Sequence, residues 1–347
     1  MDINIQDENL YRDIIVLFCP KKVGSTSIVS SIRLSASNKF IVYHTHDNII
    51  FKQNEKIKSF TVQDVIKNTI VFNKKNNSQR KIYLIDIFRT PIERKISEYF
   101  EDISKHFNTE ESNILNIPLP IINKRFNNIF PYLSNVDYYS QLYSTPKFNN
   151  FDFDRKYLIY ESNGVTYIKL RLLDSNLWGT ILTNILGTEI TMIKDYETTN
   201  KEIGQLYNKF KSDYLIPYNF FINIKNDPEL TFYLTKDEKD IYIQNWANKT
   251  IGLYTSYTKS QYILYKNIIE ENTCFIKQTK CQYFDIGCIC SDCENKREIF
   301  LFNLKNNIPN SLTKIIHDSD NHKLNTKIFV KTFYENGTVL DLIQEII

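Results

Sequence analysis

The feature that most constrains the fold is a short apolar run, DIIVLFC at 13–19, which stops immediately before Pro20. A continuous apolar stretch of this length is typical of a strand buried on both faces of a parallel sheet. A helical pattern follows at 25–35, where Ile28 and Ile32 share one face and hydroxyl residues occupy the start. A strand, a turn and a helix in this order predict a βα unit.

Further strand and helix patterns alternate along the chain. Strand patterns occur at 39–46, 81–88 and 165–173, and helical patterns at 92–107, 175–186, 200–214 and 235–248. This alternation predicts an α/β fold with a central, mostly parallel sheet. Residues 108–150 are rich in Asn, Pro and Tyr, and we expect them to be irregular or to form a cap on the fold.

The character of the sequence changes near residue 250. We therefore divide the chain into a domain at 1–250 and a small C-terminal α+β unit at 251–347. The second unit holds a cysteine cluster and then a stretch at 326–346 that predicts a hairpin turning at ENG, followed by a helix. We attach no role to this unit from its sequence.

Composition and charge exclude several classes of protein. A net charge of +3 over 347 residues is too small to indicate nucleic-acid binding by itself. No apolar run approaches the length of a membrane span, and the polar N-terminus does not have the pattern of a signal peptide. We therefore expect a cytoplasmic protein of a microbe or a virus-infected cell. The sequence leaves its oligomeric state open.

Only 8 glycines occur in the chain, so each glycine is informative about the local backbone conformation.

The turn KKVGSTS at 21–27 has the composition of a phosphate cradle. Gly24 would let the backbone approach an anion at the start of a helix, where amide groups and the dipole favour negative charge. Lys22 adds a point charge, and Ser25, Thr26 and Ser27 add hydroxyl donors. The lysine precedes the glycine, unlike the nucleotide-hydrolase pattern G-x-x-x-x-G-K-[ST]. An ordinary turn with a serine N-cap is the alternative.

A second motif, FRTPIERKIS, follows the strand at 81–88. Arg89 stands at the carboxyl end of that strand, where α/β sheets place their ligands, and Ser97 lies on the next helix. The pair could clamp a second phosphate group. The alternative is an exposed arginine and a serine on a helix surface.

Two histidines, His44 and His46, lie two residues apart on the second strand and so share one face. A catalytic base and a metal pair are the functional interpretations, and half-buried strand histidines are the structural one. The sequence shows no third ligand, so we do not favour a metal.

Together the three motifs resemble a known group of enzymes. KVGSTSI, YHTHDNI and FRTPIERKISEYF are similar to the sulfotransferases that use 3′-phosphoadenosine 5′-phosphosulfate, and among these to the capsular polysaccharide synthesis family and the uronyl 2-O-sulfotransferases of glycosaminoglycans. The likeness continues through 151–178 and 200–217, and it covers roughly 12–250. It implies a P-loop-like three-layer fold and transfer of a sulfo group to a carbohydrate hydroxyl.

The resemblance also implies roles for individual residues. The donor's 5′-phosphosulfate would be held by Lys22, Gly24, Ser25, Thr26 and Ser27, with Lys21 as an additional basic residue. Arg89 and Ser97 would bind its 3′-phosphate. His44 or His46 would be the base, and Lys22 would stabilise the leaving group without a catalytic metal. The chain departs from the family at Thr90, where an acidic residue is usual, and keeps only Asp174 of a later acidic motif.

Two other functions remain open on the sequence. A nucleotide kinase of the wider P-loop group would need a lysine after the loop glycines and an aspartate for magnesium on a strand, and the first is missing. A degenerate sulfotransferase scaffold could instead bind a glycan or serve a structural role. It would keep the fold without needing the base.

Five of the six cysteines lie between Cys274 and Cys293. Without an export signal, a disulfide framework is disfavoured. The spacing C-x-C-x₂-C lacks the paired C-x₂-C ladder of common zinc modules, so reduced thiols are the alternative to a structural zinc site. The candidate zinc ligands are Cys281, Cys288, Cys290 and Cys293.

Overall fold

The computed structural model describes residues 12–51, 60–134, 151–271, 283–311 and 314–315. Most of its strands are short and belong to separate small pairings. The strands are β1 (Asp13–Phe18), β2 (Phe40–Thr45), β3 (Ile49–Phe51), β4 (Phe60–Thr61), β5 (Ile82–Phe88), β6 (Tyr157–Ser162), β7 (Val165–Arg171), β8 (Ile216–Pro217), β9 (Thr250–Ile251), β10 (Phe284–Asp285) and β11 (Lys314–Ile315).

A five-stranded sheet in the order β2-β1-β5-β7-β6 forms the centre of the fold. β1 runs parallel to β2 and β5, and β5 runs parallel to β7, whereas β6 is antiparallel to β7 at the edge. The predicted α/β class with a mostly parallel central sheet is therefore confirmed.

Helices occupy most of the remaining described chain. The α-helices are α1 (Ser25–Ala36), α2 (Val62–Asn76), α3 (Pro91–Glu101), α4 (Ile103–Phe107), α5 (Glu111–Ile114), α6 (Leu119–Ile129), α7 (Trp178–Leu186), α8 (Gly204–Asp213), α9 (Tyr218–Lys225), α10 (Pro228–Tyr233), α11 (Lys236–Ala247), α12 (Lys259–Glu271) and α13 (Ser291–Lys305). Short 3₁₀ helices occur at Phe130–Tyr132, Leu172–Leu177 and Thr198–Asn200.

β1 is buried on both faces, as its continuous apolar run predicts. Ile15 and Leu17 pack in one cluster with residues of α1 and α7. Ile14 and Val16 pack in another cluster with residues of α2. Because successive strand residues point to opposite faces, β1 joins the two helical layers that cover the sheet.

A third core, largely aromatic, lies among the helices that follow β5. Phe100, Phe126 and Phe210 form its centre, with the Phe126 and Phe210 rings 5.2 Å apart and edge to face. Phe88, the last residue of β5, packs in the same cluster. This packing fixes the end of β5 and therefore the start of the segment that carries Arg89.

Two local predictions differ from the structure. The helix predicted at 92–107 is interrupted at Asp102, where φ is −103° and ψ is 18°, and it continues as α4. The segment after 108, predicted to be irregular, contains α5 and α6. Ile122, Phe126 and Ile129 are all buried and repeat at helical spacing, so the amphipathic signal outweighs the Asn and Pro content.

The described parts beyond residue 250 contact the rest of the protein at several places, of which two join named helices. On α12, Tyr265 bonds to His106 Nδ1 through its hydroxyl at 2.9 Å. Near β10, Arg33 of α1 donates to the carbonyl oxygen of Asp285 at 2.7 Å. The hairpin and helix predicted at 326–346 lie outside the described residues. None of the helices in the described residues combines the length and the apolar character needed to cross a membrane.

Candidate functional site

The carboxyl ends of β1 and β5 lie side by side where the strand order of the sheet reverses. β1 pairs with β2 on one side and with β5 on the other: the chain passes from β1 to β2 and then returns across β1 to β5. Open α/β sheets bind ligands in the crevice at such a point. A cavity of about 680 Å³ opens here, and its volume suits a nucleotide-sized ligand.

Nearly all of the predicted site residues line this one cavity. The first motif contributes Lys21, Lys22, Gly24, Ser25, Thr26 and Ser27 to its wall, and the other motifs contribute His46, Arg89 and Ser97. His44 lies behind the wall, with its Nε2 atom 2.9 Å from Ser25 Oγ. The fold thus brings the three motifs together.

The turn between β1 and α1 has left-handed backbone at two positions. The φ angle is 64° at Lys22 and 86° at Gly24. A Cβ atom at position 24 would come within 2.9 Å of Leu172 Cδ1 and 3.1 Å of the Trp178 ring. Both the backbone angle and the close packing therefore require glycine.

The N-terminus of α1 has the properties of an anion site. Its first turn contains no acidic residue, and no side chain in the described structure caps it. The first amide groups of a helix lack intrahelical partners and lie at the positive end of the dipole. These groups are therefore available to a phosphate or sulfate ester in the cavity.

The hydroxyl groups of this first turn are not equivalent. Ser25 Oγ contacts His44 Nε2. Ser27 Oγ accepts from the backbone N–H of Asp195 at 3.0 Å and donates to the carbonyl oxygen of the same residue at 3.1 Å. Ser27 therefore ties α1 to the segment around Asp195, and what it offers a ligand is its backbone amide.

The geometry of His46 defines its tautomer. Its Nδ1 atom lies 2.9 Å from the carbonyl oxygen of Cys19. A carbonyl oxygen only accepts, so Nδ1 carries the hydrogen and Nε2 is left as a proton acceptor. Burial lowers the pKa of His46 below 6.5, and the charges of Lys21 and Lys22 lower it further against the opposing effect of the Cys19 bond. His46 is therefore a neutral base at neutral pH.

His44 is placed to support rather than to react. Burial, with a smaller effect of His46, lowers the pKa of His44 to about 3. The two imidazole rings lie edge to face with their centroids 4.6 Å apart. His44 thus stays neutral, orients the Ser25 hydroxyl and packs against the ring that lines the cavity.

Lys22 shares a carboxylate with a second lysine. Glu101 Oε2 lies 2.8 Å from Lys22 Nζ and 2.9 Å from Lys201 Nζ. The ring of Tyr196 lies below both ammonium groups, 5.2 Å from Lys22 Nζ and 3.8 Å from Lys201 Nζ. Burial alone would raise the pKa of the Glu101 carboxyl, but the two lysines outweigh it and lower this pKa to about 2. Two cations around one carboxylate leave an excess of positive charge at the cavity wall.

Arg89 connects the second motif to the first. It donates from Nη1 to the carbonyl oxygen of Lys22 at 2.7 Å and from Nη2 to the Tyr207 hydroxyl at 3.4 Å. Among the described residues it forms no ion pair. Its charge is therefore available to an anion, and Ser97 lines the cavity beside it.

Acidic side chains also line the cavity, but several are neutralised or held. Asp102 pairs with Lys105 at 2.6 Å. The Asp195 carboxylate accepts from Ser30 Oγ at 2.7 Å and from the backbone N–H of Tyr283 at 3.2 Å. Asp102 and Asp195 therefore have partners within the protein, whereas Arg89 forms no ion pair among the described residues.

Asp174, the remnant of the later acidic motif, lies away from this wall. It is buried and accepts two hydrogen bonds from Arg171, at 2.6 and 3.0 Å. Arg171 also bonds to Glu238. This cluster holds the end of β7 against α11, so it has a structural role.

Glu101, Lys201 and Tyr196 were missed as site residues from the sequence. Glu101 lies four residues after Ser97 on α3, and this spacing places both on one helix face. That signal could have identified Glu101. Lys201 and Tyr196 belong to an irregular segment whose sequence has no periodicity, so nothing local points to them.

Among the residues that the structure describes, two groups of side chains could hold a metal ion. In each group the ligand atoms lie within 4.8 Å of one another, and the groups are Cys19 with His44 and His46, and Cys288 with Cys290 and Cys293. Burial raises the pKa of the Cys19 thiol, so this cysteine stays protonated without a metal. Cys281, the fourth predicted zinc ligand, lies outside the described residues.

Comparison of the chain with protein-family models, curated proteins and solved structures found no match. The similarity to sulfotransferases therefore stays a prediction that rests on the three motifs and on their meeting in one cavity.

Proposed function

We propose that this protein is a sulfotransferase with a P-loop-like site, which moves a sulfo group from 3′-phosphoadenosine 5′-phosphosulfate to a hydroxyl of a carbohydrate. The observation that carries the proposal is the meeting of the Gly24 turn, Arg89 and His46 on one cavity. Two anion-binding elements beside one neutral base match a donor with two charged groups and an acceptor hydroxyl.

Each part of the donor has a chemically suitable partner. The amides at the start of α1, with Lys22, suit the 5′-phosphosulfate. Arg89 and Ser97, on the neighbouring strand end and helix, suit the 3′-phosphate. Lys201 can keep Glu101 neutralised when Lys22 turns toward the donor, because both lysines contact the same carboxylate oxygen.

In the proposed reaction the acceptor hydroxyl oxygen forms a bond to sulfur, and its proton passes to Nε2 of His46. The bond between sulfur and the bridging phosphate oxygen breaks, and negative charge grows on that oxygen. Lys22 and the amides of α1 stabilise this charge, as in phosphoryl transfer through a loose transition state. His44 keeps Ser25 and His46 in position.

Calorimetry with adenosine 3′,5′-bisphosphate tests the donor site. Hydrogen bonds to charged groups contribute about 1.5–3 kcal/mol, so Lys22→Ala and Arg89→Ala should each weaken binding by about 10- to 100-fold. The control is Lys39→Ala, because Lys39 is exposed and its ammonium group donates to the hydroxyl of Thr188, away from the cavity. No heat of binding with the wild-type chain would refute the donor assignment.

Transfer of labelled sulfate to a panel of polysaccharides tests the reaction itself. His46→Ala should abolish transfer while it keeps the affinity for the bisphosphate, because the base contacts the acceptor and not the donor phosphates. Equal transfer by wild type and Lys22→Ala would refute the proposed mechanism.

One observation supports a second candidate, a scaffold that binds a glycan or another anion without catalysis. Lys22 already has a carboxylate partner in Glu101, which competes with any donor anion. This alternative predicts polysaccharide binding with no sulfate transfer at any pH. The transfer assay therefore separates it from the enzyme.

The nucleotide kinase alternative has less support from the site. Asp86 is the acidic residue of β5, and it is buried with its Oδ2 atom 3.0 Å from Lys169 Nζ. A carboxylate paired in this way is poorly suited to bind magnesium at the cavity.

A further inference from the structure

Three cysteine thiols meet at the start of α13, far along the chain from the cavity. The sulfur atoms of Cys288, Cys290 and Cys293 lie within 4.8 Å of one another, and all three cysteines are free of disulfides. We propose that they bind a structural Zn²⁺ ion that stabilises the packing of α13 against α1. Zn–S bonds of about 2.3 Å in a tetrahedron place two sulfurs about 3.8 Å apart, which these positions satisfy with little movement.

The backbone around the three cysteines has the form of a metal-binding turn. Gly287 has a φ of 81°, and its N–H donates to Asp285 Oδ1 at 2.7 Å, so the chain turns sharply just before Cys288. Cys290 is the N-cap of α13, and Cys293 lies in its first turn. The amides and the positive dipole end of a helix stabilise thiolates, the form in which cysteine binds zinc.

The neighbouring carboxylate is not available as a fourth ligand. Both oxygens of Asp285 accept from Arg297, at 2.8 Å each, and the pair is buried. Within the described residues the cluster therefore supplies three thiolates. Cys290 is only half-buried, so a fourth ligand can reach the site and complete the tetrahedron.

The surrounding structure is small enough to need such a cross-link. In its described residues the core contains few large apolar side chains, chiefly Tyr283, Phe300 and Ile315, which pack against Leu34 of α1. The strands β10 and β11 have two residues each. Units with so little buried apolar surface usually rely on a metal or on disulfides for stability.

Zinc binds cysteine as the thiolate, so binding of Zn²⁺ at this cluster releases the thiol protons. The site uses none of the residues of the sulfotransferase proposal and is independent of it.

Metal analysis of the full-length chain, purified under reducing conditions, tests the proposal. We expect about one zinc per chain by mass spectrometry, and its loss in Cys290→Ser and Cys293→Ser. Cys19→Ser is the matched control, because Cys19 belongs to the other group of candidate ligands. The proposal is overturned if wild type holds no zinc, or if zinc is lost in Cys19→Ser and kept in Cys290→Ser.

A second measurement avoids variants that fail to fold. The wild-type chain, freed of metal with a chelator, is titrated with Co²⁺ and followed by absorption. Thiolate ligands give an intense charge-transfer band in the near ultraviolet, and a tetrahedral site gives strong visible bands. Equimolar Zn²⁺ should abolish both. A titration that shows only the weak spectrum of aqueous Co²⁺ would also overturn the proposal.

Discussion

The Nζ atom of Lys22 lies 2.8 Å from Glu101 Oε2, so the cation of the glycine turn is held by a carboxylate on α3. The same oxygen contacts Lys201, and the ring of Tyr196 lies beneath both lysines. This arrangement places a competitor for Lys22 inside the proposed donor site. It leads directly to the first prediction.

Glu101→Gln should strengthen the binding of adenosine 3′,5′-bisphosphate by about tenfold. The substitution removes one negative charge from the cavity and releases Lys22 from its partner, and a single charge-assisted contact is worth about 1.5 kcal/mol or more. Calorimetry at constant salt measures the change. Asp102→Asn is the control, because it removes a charge from the same cavity without freeing Lys22. Weaker binding of the bisphosphate by Glu101→Gln than by wild type would show that the Glu101 carboxylate contributes to donor binding and does not oppose it.

The rate of sulfate transfer should fall on acidification with a midpoint below pH 6.5. Burial lowers the pKa of His46 below that value. The base is active when unprotonated, so activity is full above this lowered pKa and disappears as the pH falls through it. A pH profile of kcat/KM, which reports the pKa of the free protein, measures the midpoint. Lys21→Ala should move it to higher pH, because the charge of Lys21 lowers the pKa of His46. Lys105→Ala, at the same cavity, should leave it in place, and a midpoint above neutrality in wild type would contradict the assignment of the base.

Gly24→Ala should destabilise the protein more than Gly187→Ala. Both glycines have positive φ, 86° and 64°, so alanine costs about 1–2 kcal/mol of backbone strain at either position. A Cβ atom meets nothing within 4 Å at Gly187, whereas at Gly24 it lies 2.9 Å from Leu172. Overpacking adds about 1–3 kcal/mol at Gly24 alone. Urea unfolding of the two variants measures the difference in the free energy of unfolding. Equal losses of unfolding free energy in the two variants would mean that the turn at Gly24 rearranges around the new Cβ atom without a further loss of stability.

Arg171→Met should lower the free energy of unfolding by about 3–5 kcal/mol. Arg171 is fully buried and holds Asp174 and Glu238, so its removal leaves the buried Asp174 carboxylate without its partner. Chemical denaturation measures the loss. Arg155→Met is the matched control: its pair with Asp152 spans 3.6 Å and its side chain is 64% exposed, so we expect a change within about 1 kcal/mol. A similar small effect for Arg171→Met would contradict the structural role of this cluster.

Much of the central sheet could be predicted from the sequence. The strands β1, β2, β5 and β7 are apolar runs bounded by polar or turn residues, and the signal for each is contained in the run itself. β6 was not predicted. Its residues are only partly buried at the antiparallel edge, so its apolar pattern is weak. The break in the helix at Asp102 was also missed, since Asp is tolerated inside helices and the sequence gives no Gly or Pro there.

The candidate site could also be predicted only in part from the sequence. Three motifs follow or end three neighbouring parallel strands, so the rule that carboxyl ends meet at one sheet edge was enough to expect them together. The rule does not say which histidine lines the cavity. That depends on the hydrogen bond from His46 to Cys19 and on the packing of His44 behind Ser25.

The sequence by itself determined the fold class, the glycine at the turn and the residue types at the strand ends. It could do so because apolar periodicity and backbone requirements are local properties of a chain. Only the tertiary structure decided that Glu101 pairs with Lys22, that Ser27 is tied to Asp195 and that the sulfur atoms of three cysteines converge. These contacts join residues from separate elements, or depend on how a short turn folds back, and their distances follow from packing that no sequence pattern specifies.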